Sequence, residues 1–392
     1  MEFNFSILDT LGGFYICKII VDIDGYKWYY SSIQFIQYLY ELYIMKKEIN
    51  MKGTRLLALL LVFLVVVTGF TACGKKESEV NSDKGTRSIR TADNNSEVLS
   101  APTNVKEVDS NQELFDSYVY SVDKLKADYD SVIVLDARAQ EEYDKGHLPN
   151  AVRATWQEWS NVEVPQDSGE WAHIKSYDEL SRIFGALGID GTKPVVIYTD
   201  TQAGWGEEGR QLWTFRVFGL TNTYILNGGI KAWKDAGGDI SKEATNITPV
   251  TGPIANPDES LIVETDYFAA NLDKINILDT REDAEYAGTK NYGEKTNGRI
   301  PNSKHIWFKD FYNADGTLLT PAQIRARVEA LGYETDDEVI LYCTGGIRSG
   351  FTTIILRAAG YTKSRNYNVS FSGWAGTDQK IDSKVLTELE LY

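Results

Sequence analysis

The sequence predicts an α/β protein of two similar domains, each a parallel sheet with helices on both faces. Three observations predict this. The chain repeats itself at a spacing of about 145 residues, as a duplicated domain does. Short apolar runs alternate with helical stretches in each copy, a pattern that buries a parallel sheet on both sides. One of those runs, Val339–Tyr342, feeds a glycine-containing turn and then a second apolar, helix-like stretch.

The repeat can be followed element by element. Val132–Arg138, with Glu142 and Tyr143 soon after, returns as Ile275–Arg281 with Glu285 and Tyr286. Gly146-His147-Leu148-Pro149-Asn150 returns as Gly298-Arg299-Ile300-Pro301-Asn302. Val195–Asp200 aligns with Val339–Thr344, and Phe215–Gly219 with Leu356–Gly360. Helices are expected at Tyr177–Leu187 and Pro321–Leu331 in the two copies.

Chemistry concentrates where the strand Val339–Tyr342 ends in Cys343. Gly345 and Gly346 make a tight turn, and Phe351–Ala359 reads as a helix stopped by Gly360. In that geometry the backbone N–H groups of Thr344, Gly345, Gly346, Ile347, Arg348 and Ser349 face inward, and the helix N-terminus adds positive potential. Such a cradle lowers a cysteine pKa and holds an anion, so Cys343 is expected to be a nucleophilic thiolate. Arg348 adds a fixed positive charge. The plain alternative is a buried strand-end cysteine. Gly345, Gly346 and Arg348 suit an ordinary turn out of a core strand poorly.

Composition excludes other classes. A net charge of −16 argues against nucleic-acid binding. Three cysteines, Cys17, Cys73 and Cys343, cannot make a disulfide framework. His147, His173 and His305 are scattered, so no metal-ligand cluster is expected, and no cofactor is implied.

The chain then divides as follows. Residues 1–50 are Tyr-rich and read as irregular. Met51 opens a basic stretch followed by the apolar run Leu56–Val67, the pattern of a secretory signal over residues 51–73. A signal belongs at an N-terminus, so translation is expected to start at Met51, leaving 1–50 as a mis-assigned upstream extension. Residues 74–112 read as a flexible polar tether, 113–247 as a domain without the cysteine and 258–392 as the domain that carries it.

Together the motifs Asp-x-Arg, Glu-Tyr, Gly-[His/Arg]-[Ile/Leu]-Pro and strand–loop–helix resemble the rhodanese domain twice over, across residues 115–245 and 258–390. Asn227–Trp233 and Phe371–Trp374 resemble the family's glycine–tryptophan segment. A tandem array with cysteine only in the second copy is similar to the thiosulfate and 3-mercaptopyruvate sulfurtransferases. Cysteine phosphatases have one more residue between cysteine and arginine than Cys343 and Arg348 do, and the cysteine loop lacks an adjacent general-acid Asp. Gly69–Lys76 resembles a bacterial lipoprotein cleavage site, with Phe70 where Leu is usual. That resemblance implies cleavage before Cys73, lipidation of Cys73 and anchoring at the extracytoplasmic face of the cell membrane.

The family resemblance implies double displacement: Cys343 takes a sulfane sulfur from a small donor such as thiosulfate and passes it, as a persulfide, to a thiol or cyanide acceptor. Arg348 is expected either to bind the donor's sulfonate or to tie down the loop through backbone carbonyls. Arg281 is expected to face the substrate, with Asp279 supporting the loop or pairing with an Arg. Ser349 is expected to donate to the sulfur or to cap the helix. In the first copy Thr199 replaces the cysteine with no base nearby, so that domain is expected to be a structural partner closing over the loop. Trp171 and Trp205 are candidates for that interface. Thiosulfate is favoured over 3-mercaptopyruvate, whose enzymes tend to carry Arg where this chain has Glu285. A monomer is expected. The main rival is a sulfur-binding lipoprotein without appreciable turnover.

Overall fold

The computed structural model describes residues 2–11, 14–23, 26–30, 111–387 and 390. The signal segment 51–73 with Cys73, and the tether up to residue 110, lie outside the described residues. Residues 1–30 differ from the irregular reading: strands β1 (Glu2–Leu11), β2 (Phe14–Ile23) and β3 (Tyr26–Tyr30) form an antiparallel sheet. The physical reason is composition, since Phe, Tyr, Ile and Val dominate there and favour extended backbone. No described helix is long and apolar enough to cross a membrane.

The two domains repeat one topology. In the first, β4 (Val119–Tyr120), β5 (Ile133–Asp136), β6 (Val152–Arg153), β7 (Val195–Tyr198) and β8 (Thr223–Leu226) form a five-stranded sheet in the order β4-β8-β7-β5-β6. In the second, β9 (Ile262–Val263), β10 (Asn276–Asp279), β11 (Lys304–His305), β12 (Val339–Tyr342) and β13 (Ser364–Tyr367) take the order β9-β13-β12-β10-β11. All these pairings are parallel. Even the register is copied: Asp136 lies opposite Tyr198, and Asp279 opposite Tyr342. The central strands β7 and β12 are buried at every position, which is why they read as continuous apolar runs.

Helices form where the sequence announces them, with sharper ends. Ser176 caps Tyr177–Ala186, and Thr320 caps Pro321–Glu329 with a proline in its first turn. Two further helices matter most: α1 (Glu207–Phe218) after β7 and α2 (Ile347–Ala358) after β12. The second begins four residues earlier than Phe351, so Ile347, Arg348 and Ser349 belong to its first turn and the loop itself is Thr344–Gly346.

The domains meet through α1 and α2. A Cβ on Gly209 would stand 2.5 Å from Phe351 Cα, and one on Gly350 would stand 3.4 Å from Arg210 Cα. A glycine on each helix therefore lets the two backbones approach closely. Around this crossing, Trp213, Phe215, Phe308, Phe311 and Phe351 join one apolar core that spans both domains. Polar ties flank it: Tyr312 donates to Glu208 Oε1 at 2.8 Å, and Lys309 Nζ donates to the carbonyl of Thr201 at 2.8 Å.

Adding a methyl group at this crossing forces backbone apart. Gly209→Ala is expected to lower unfolding stability by about 1–3 kcal/mol, read by denaturant melts. A change below about 0.5 kcal/mol would show that the helices do not cross this closely.

Candidate active site

Strand β12 delivers Cys343 to the C-terminal edge of its sheet, where α/β folds place their sites. Cys343 is almost wholly buried. Its own N–H donates to Ser370 Oγ at 3.1 Å, and its carbonyl accepts from the Phe371 N–H at 3.0 Å. The Gly346 N–H donates to Cys343 Sγ at 3.1 Å. Gly346 has φ of +83°, and a Cβ there would lie 2.4 Å from the Asn368 carbonyl oxygen. Glycine is required at this position on both counts.

The electrostatics favour an anion. Burial pushes the Cys343 thiol up, yet Arg348, the Ser349 hydroxyl and the N–H groups of Ser349 and Gly345 outweigh it, so the thiol falls below its ordinary value. The Ser349 hydroxyl itself lies 3.5 Å from Ser370 Oγ. Helix α2 points its N-terminus at the same atom.

Arg348 bonds side chains rather than the loop's backbone carbonyls. Its guanidinium grips Glu285 with both arms, Nη1 to Oε2 at 2.6 Å and Nη2 to Oε1 at 2.9 Å, and Nη2 also donates to Thr344 Oγ1 at 2.7 Å. Burial acts upward on the Glu285 carboxyl, but Arg348 outweighs it and holds the pKa low. The Thr344 hydroxyl lies 2.8 Å from a carboxylate oxygen of Glu285 and 2.8 Å from one of Glu294. Over the outer face of Arg348 sit Trp205 at 5.4 Å and Tyr292 at 5.9 Å from ring centroid to guanidinium carbon. Trp205 comes from the first domain and is 42% exposed, so it is a rim residue rather than core.

Arg281 requires a correction. Rather than facing a substrate, it is buried with its fork on Asp279, at 2.7 Å to Oδ2, and on the Gly298 carbonyl at 2.8 Å. The first domain repeats this clamp with Arg138, Asp136 and the Gly146 carbonyl, at a site that has no cysteine. The Asp-x-Arg pattern is therefore a structural hairpin, because the same carboxylate two residues back captures the guanidinium in both copies.

Several functional neighbours carry little sequence signature. Trp171 of the first domain covers Gly345, where a Cβ would meet Trp171 Cζ3 at 2.3 Å. Ser370 adopts φ of +53°, a conformation costing on the order of 1–2 kcal/mol for a non-glycine residue. The aligned residue of the first copy is Gly229, at φ of +57°. That serine-for-glycine difference was readable from the repeat, and its hydroxyl is the acceptor for the Cys343 N–H. Glu285 shows in the sequence as part of the repeated Glu-Tyr motif and as a departure from the arginine of related enzymes, and Glu294 and Arg210 carry no motif of their own.

The cysteine-free copy is also more polar than expected. Glu207 stands beside Thr199, both near Gly204, so a carboxylate is present where none was anticipated. Burial raises the Glu207 carboxyl above its usual range. A hydroxyl still cannot carry a sulfane sulfur. His147 stacks on Tyr143 and His305 on Tyr286, while His173 pairs with Glu264 across the domains at 3.3 Å. Among the described residues no group of three or more His, Cys, Asp or Glu is placed to hold a metal ion.

Removing Glu285 would strand Arg348 as a buried, unpaired charge. Glu285→Ala is expected to cost about 3–5 kcal/mol of stability in thermal or denaturant melts. A loss below about 1 kcal/mol would mean that water reaches Arg348.

Comparison with known proteins agrees with this geometry. A relative named "Thiosulfate sulfurtransferase" from Pseudomonas aeruginosa is 29% identical over 248 residues, 62% of this chain and 88% of that one. A second from the same organism, named "Probable 3-mercaptopyruvate sulfurtransferase", is 27% identical over 62% of this chain and 89% of that one. "Sulfur carrier protein TtuD" from Thermus thermophilus is 27% identical over 59% of this chain and 83% of that one. The family described as "Rhodanese-like domain" matches residues 120–236 and again 264–377. The chain belongs to the rhodanese-like family, as a tandem of two such domains.

Proposed function

We propose that this protein is a sulfurtransferase that moves a sulfane sulfur from thiosulfate to a thiophilic acceptor through a persulfide on Cys343. The observation that carries the reading is a buried thiol held below its ordinary pKa, with the Gly346 N–H 3.1 Å from Sγ. The thiolate attacks the outer sulfur of thiosulfate, the S–S bond breaks, and its electron pair leaves on sulfite. The new persulfide is an anion, held by the Gly346 N–H and the first turn of α2. Cyanide or a thiolate then attacks the terminal sulfur and returns the Cys343 thiolate. Arg348 reaches the donor's sulfonate only by sharing its fork with Glu285.

Two other donors or fates remain as readings. The relative named for 3-mercaptopyruvate supports that donor. The relative named a sulfur carrier supports a protein that holds the sulfur for a partner, with little turnover of its own.

Intact mass separates these. Thiosulfate is expected to add one sulfur, about 32 Da, to the wild type and none to Cys343→Ala, and cyanide should remove it with multiple turnovers. A gain only with 3-mercaptopyruvate or polysulfide would change the donor. Loading without turnover would favour the carrier, and no gain with any donor would sink the reading.

Location is part of the proposal. Residues 51–73 would direct export, and lipidated Cys73 would hold a monomer at the extracytoplasmic membrane face through the 74–112 tether. The wild type should fractionate with membranes, and Cys73→Ser should lose its lipid mass and leave the membrane fraction. An unlipidated wild type in the soluble fraction would refute the anchor.

A further inference from the structure

Arg210 comes from α1 of the cysteine-free domain, yet it is fully buried beneath the Cys343 loop. Its Nη1 donates to the Gly346 carbonyl at 3.1 Å, and its Nη2 to the Ala172 carbonyl at 2.6 Å and to Asn368 Oδ1 at 3.3 Å. Gly346 is the residue whose N–H touches Sγ. A Cβ there would meet Arg210 Nη1 at 2.7 Å, so the guanidinium packs against the cradle, with its carbon 4.5 Å from the Trp213 ring centroid.

Its partners distinguish Arg210 from the arginines of the two Asp-x-Arg clamps and of the cysteine loop. Arg138, Arg281 and Arg348 each close on a carboxylate, respectively Asp136, Asp279 and Glu285. Every hydrogen-bond acceptor of Arg210 is neutral: two carbonyls, an amide oxygen and, at 3.5 Å, the Ser160 hydroxyl. Its Nε is buried with no hydrogen-bond partner. An isolated guanidinium in such a place costs several kcal/mol unless an anion lies close. Burial pushes the Arg210 pKa down to about 9, and the one charge opposing that fall is Cys343.

We infer that Arg210 is a positioning residue, the counter-charge that the cysteine-free domain supplies to the Cys343 thiolate and to the persulfide formed on it. Arg348 acts on the same sulfur, but Glu285 offsets its charge at 2.6 Å. Arg281 is offset in the same way by Asp279, and Glu294 adds negative charge on the Thr344 side. Arg210 is thus the uncompensated cation of the site. The inference rests on Cys343 being the reactive thiol, and it gives the first domain a role beyond packing.

The test is the pH dependence of iodoacetamide alkylation of the full chain without any sulfur donor, read at the Cys343 peptide by mass spectrometry because Cys17 and Cys73 are also present. Arg210→Gln is expected to move the Cys343 midpoint up by at least one pH unit, a tenfold loss of thiolate below the midpoint. Arg210→Lys should recover part of the shift, and Glu285→Gln, which unmasks Arg348, should move the midpoint down. A midpoint for Arg210→Gln within about 0.3 units of wild type would overturn the inference. Melts at a pH where Cys343 is ionised add an independent reading. Arg210→Gln should destabilise the wild type but be neutral or stabilising in Cys343→Ala. Equal destabilisation in both backgrounds, or failure to fold in Cys343→Ala, would leave Arg210 as mere scaffold. Because no donor is used, these outcomes are separate from failure of persulfide formation.

Discussion

A cysteine whose sulfur lies out of water must have its charge met by the protein, and that constraint shapes the rest of the molecule. Strand β12 brings Cys343 to the sheet edge, and the turn Thr344–Gly346 lets α2 start at once, so that its N-terminus faces the sulfur. Gly346 is glycine because its backbone is left-handed and its neighbour is a carbonyl. Ser370 accepts the Cys343 N–H from a strained conformation that glycine occupies in the other copy. Each is a local departure that an ordinary strand–turn–helix would not need.

The second domain could not provide this enclosure alone. Trp171 closes over Gly345, Trp205 lies over Arg348, and Arg210 underpins Gly346, all from the copy without cysteine. Duplication made that possible, since two similar domains can cross α1 over α2 at a glycine on each. One copy then kept the nucleophile position as Cys343, while the other holds Thr199 beside Glu207. The electrostatic division follows within the site: Arg281 and Arg348 are paired with carboxylates, and Arg210 at the interface bonds only neutral acceptors.

Much of this was legible in the sequence because it is local or repeated. The two parallel sheets and the strand–loop–helix at Cys343 follow from apolar runs and a repeat read at short range. Ser349 and the turn glycines sit within six residues of the thiol, so their roles could be anticipated. Contacts made across long separations could not. Glu285 is 63 positions from Arg348, and Arg210 is 136 from Gly346, distances at which no periodicity links residues. Arg281 misled for the opposite reason: Asp279 lies two residues away and captures it, a local preference that outweighs exposure to a substrate. The strands near the N-terminus lie outside the repeat and rest on β-forming composition alone, a weaker signal than periodicity.

The central claim is that Cys343 in the resting protein ionises more readily than a free cysteine. Thiolate ultraviolet absorbance, taken as wild type minus Cys343→Ala across a pH titration, measures that without any substrate and cancels Cys17 and Cys73. A single midpoint clearly below that of a free cysteine, about 8.5, is expected. A midpoint at or above that value would contradict it, and would make Cys343 an ordinary buried thiol at the end of a core strand.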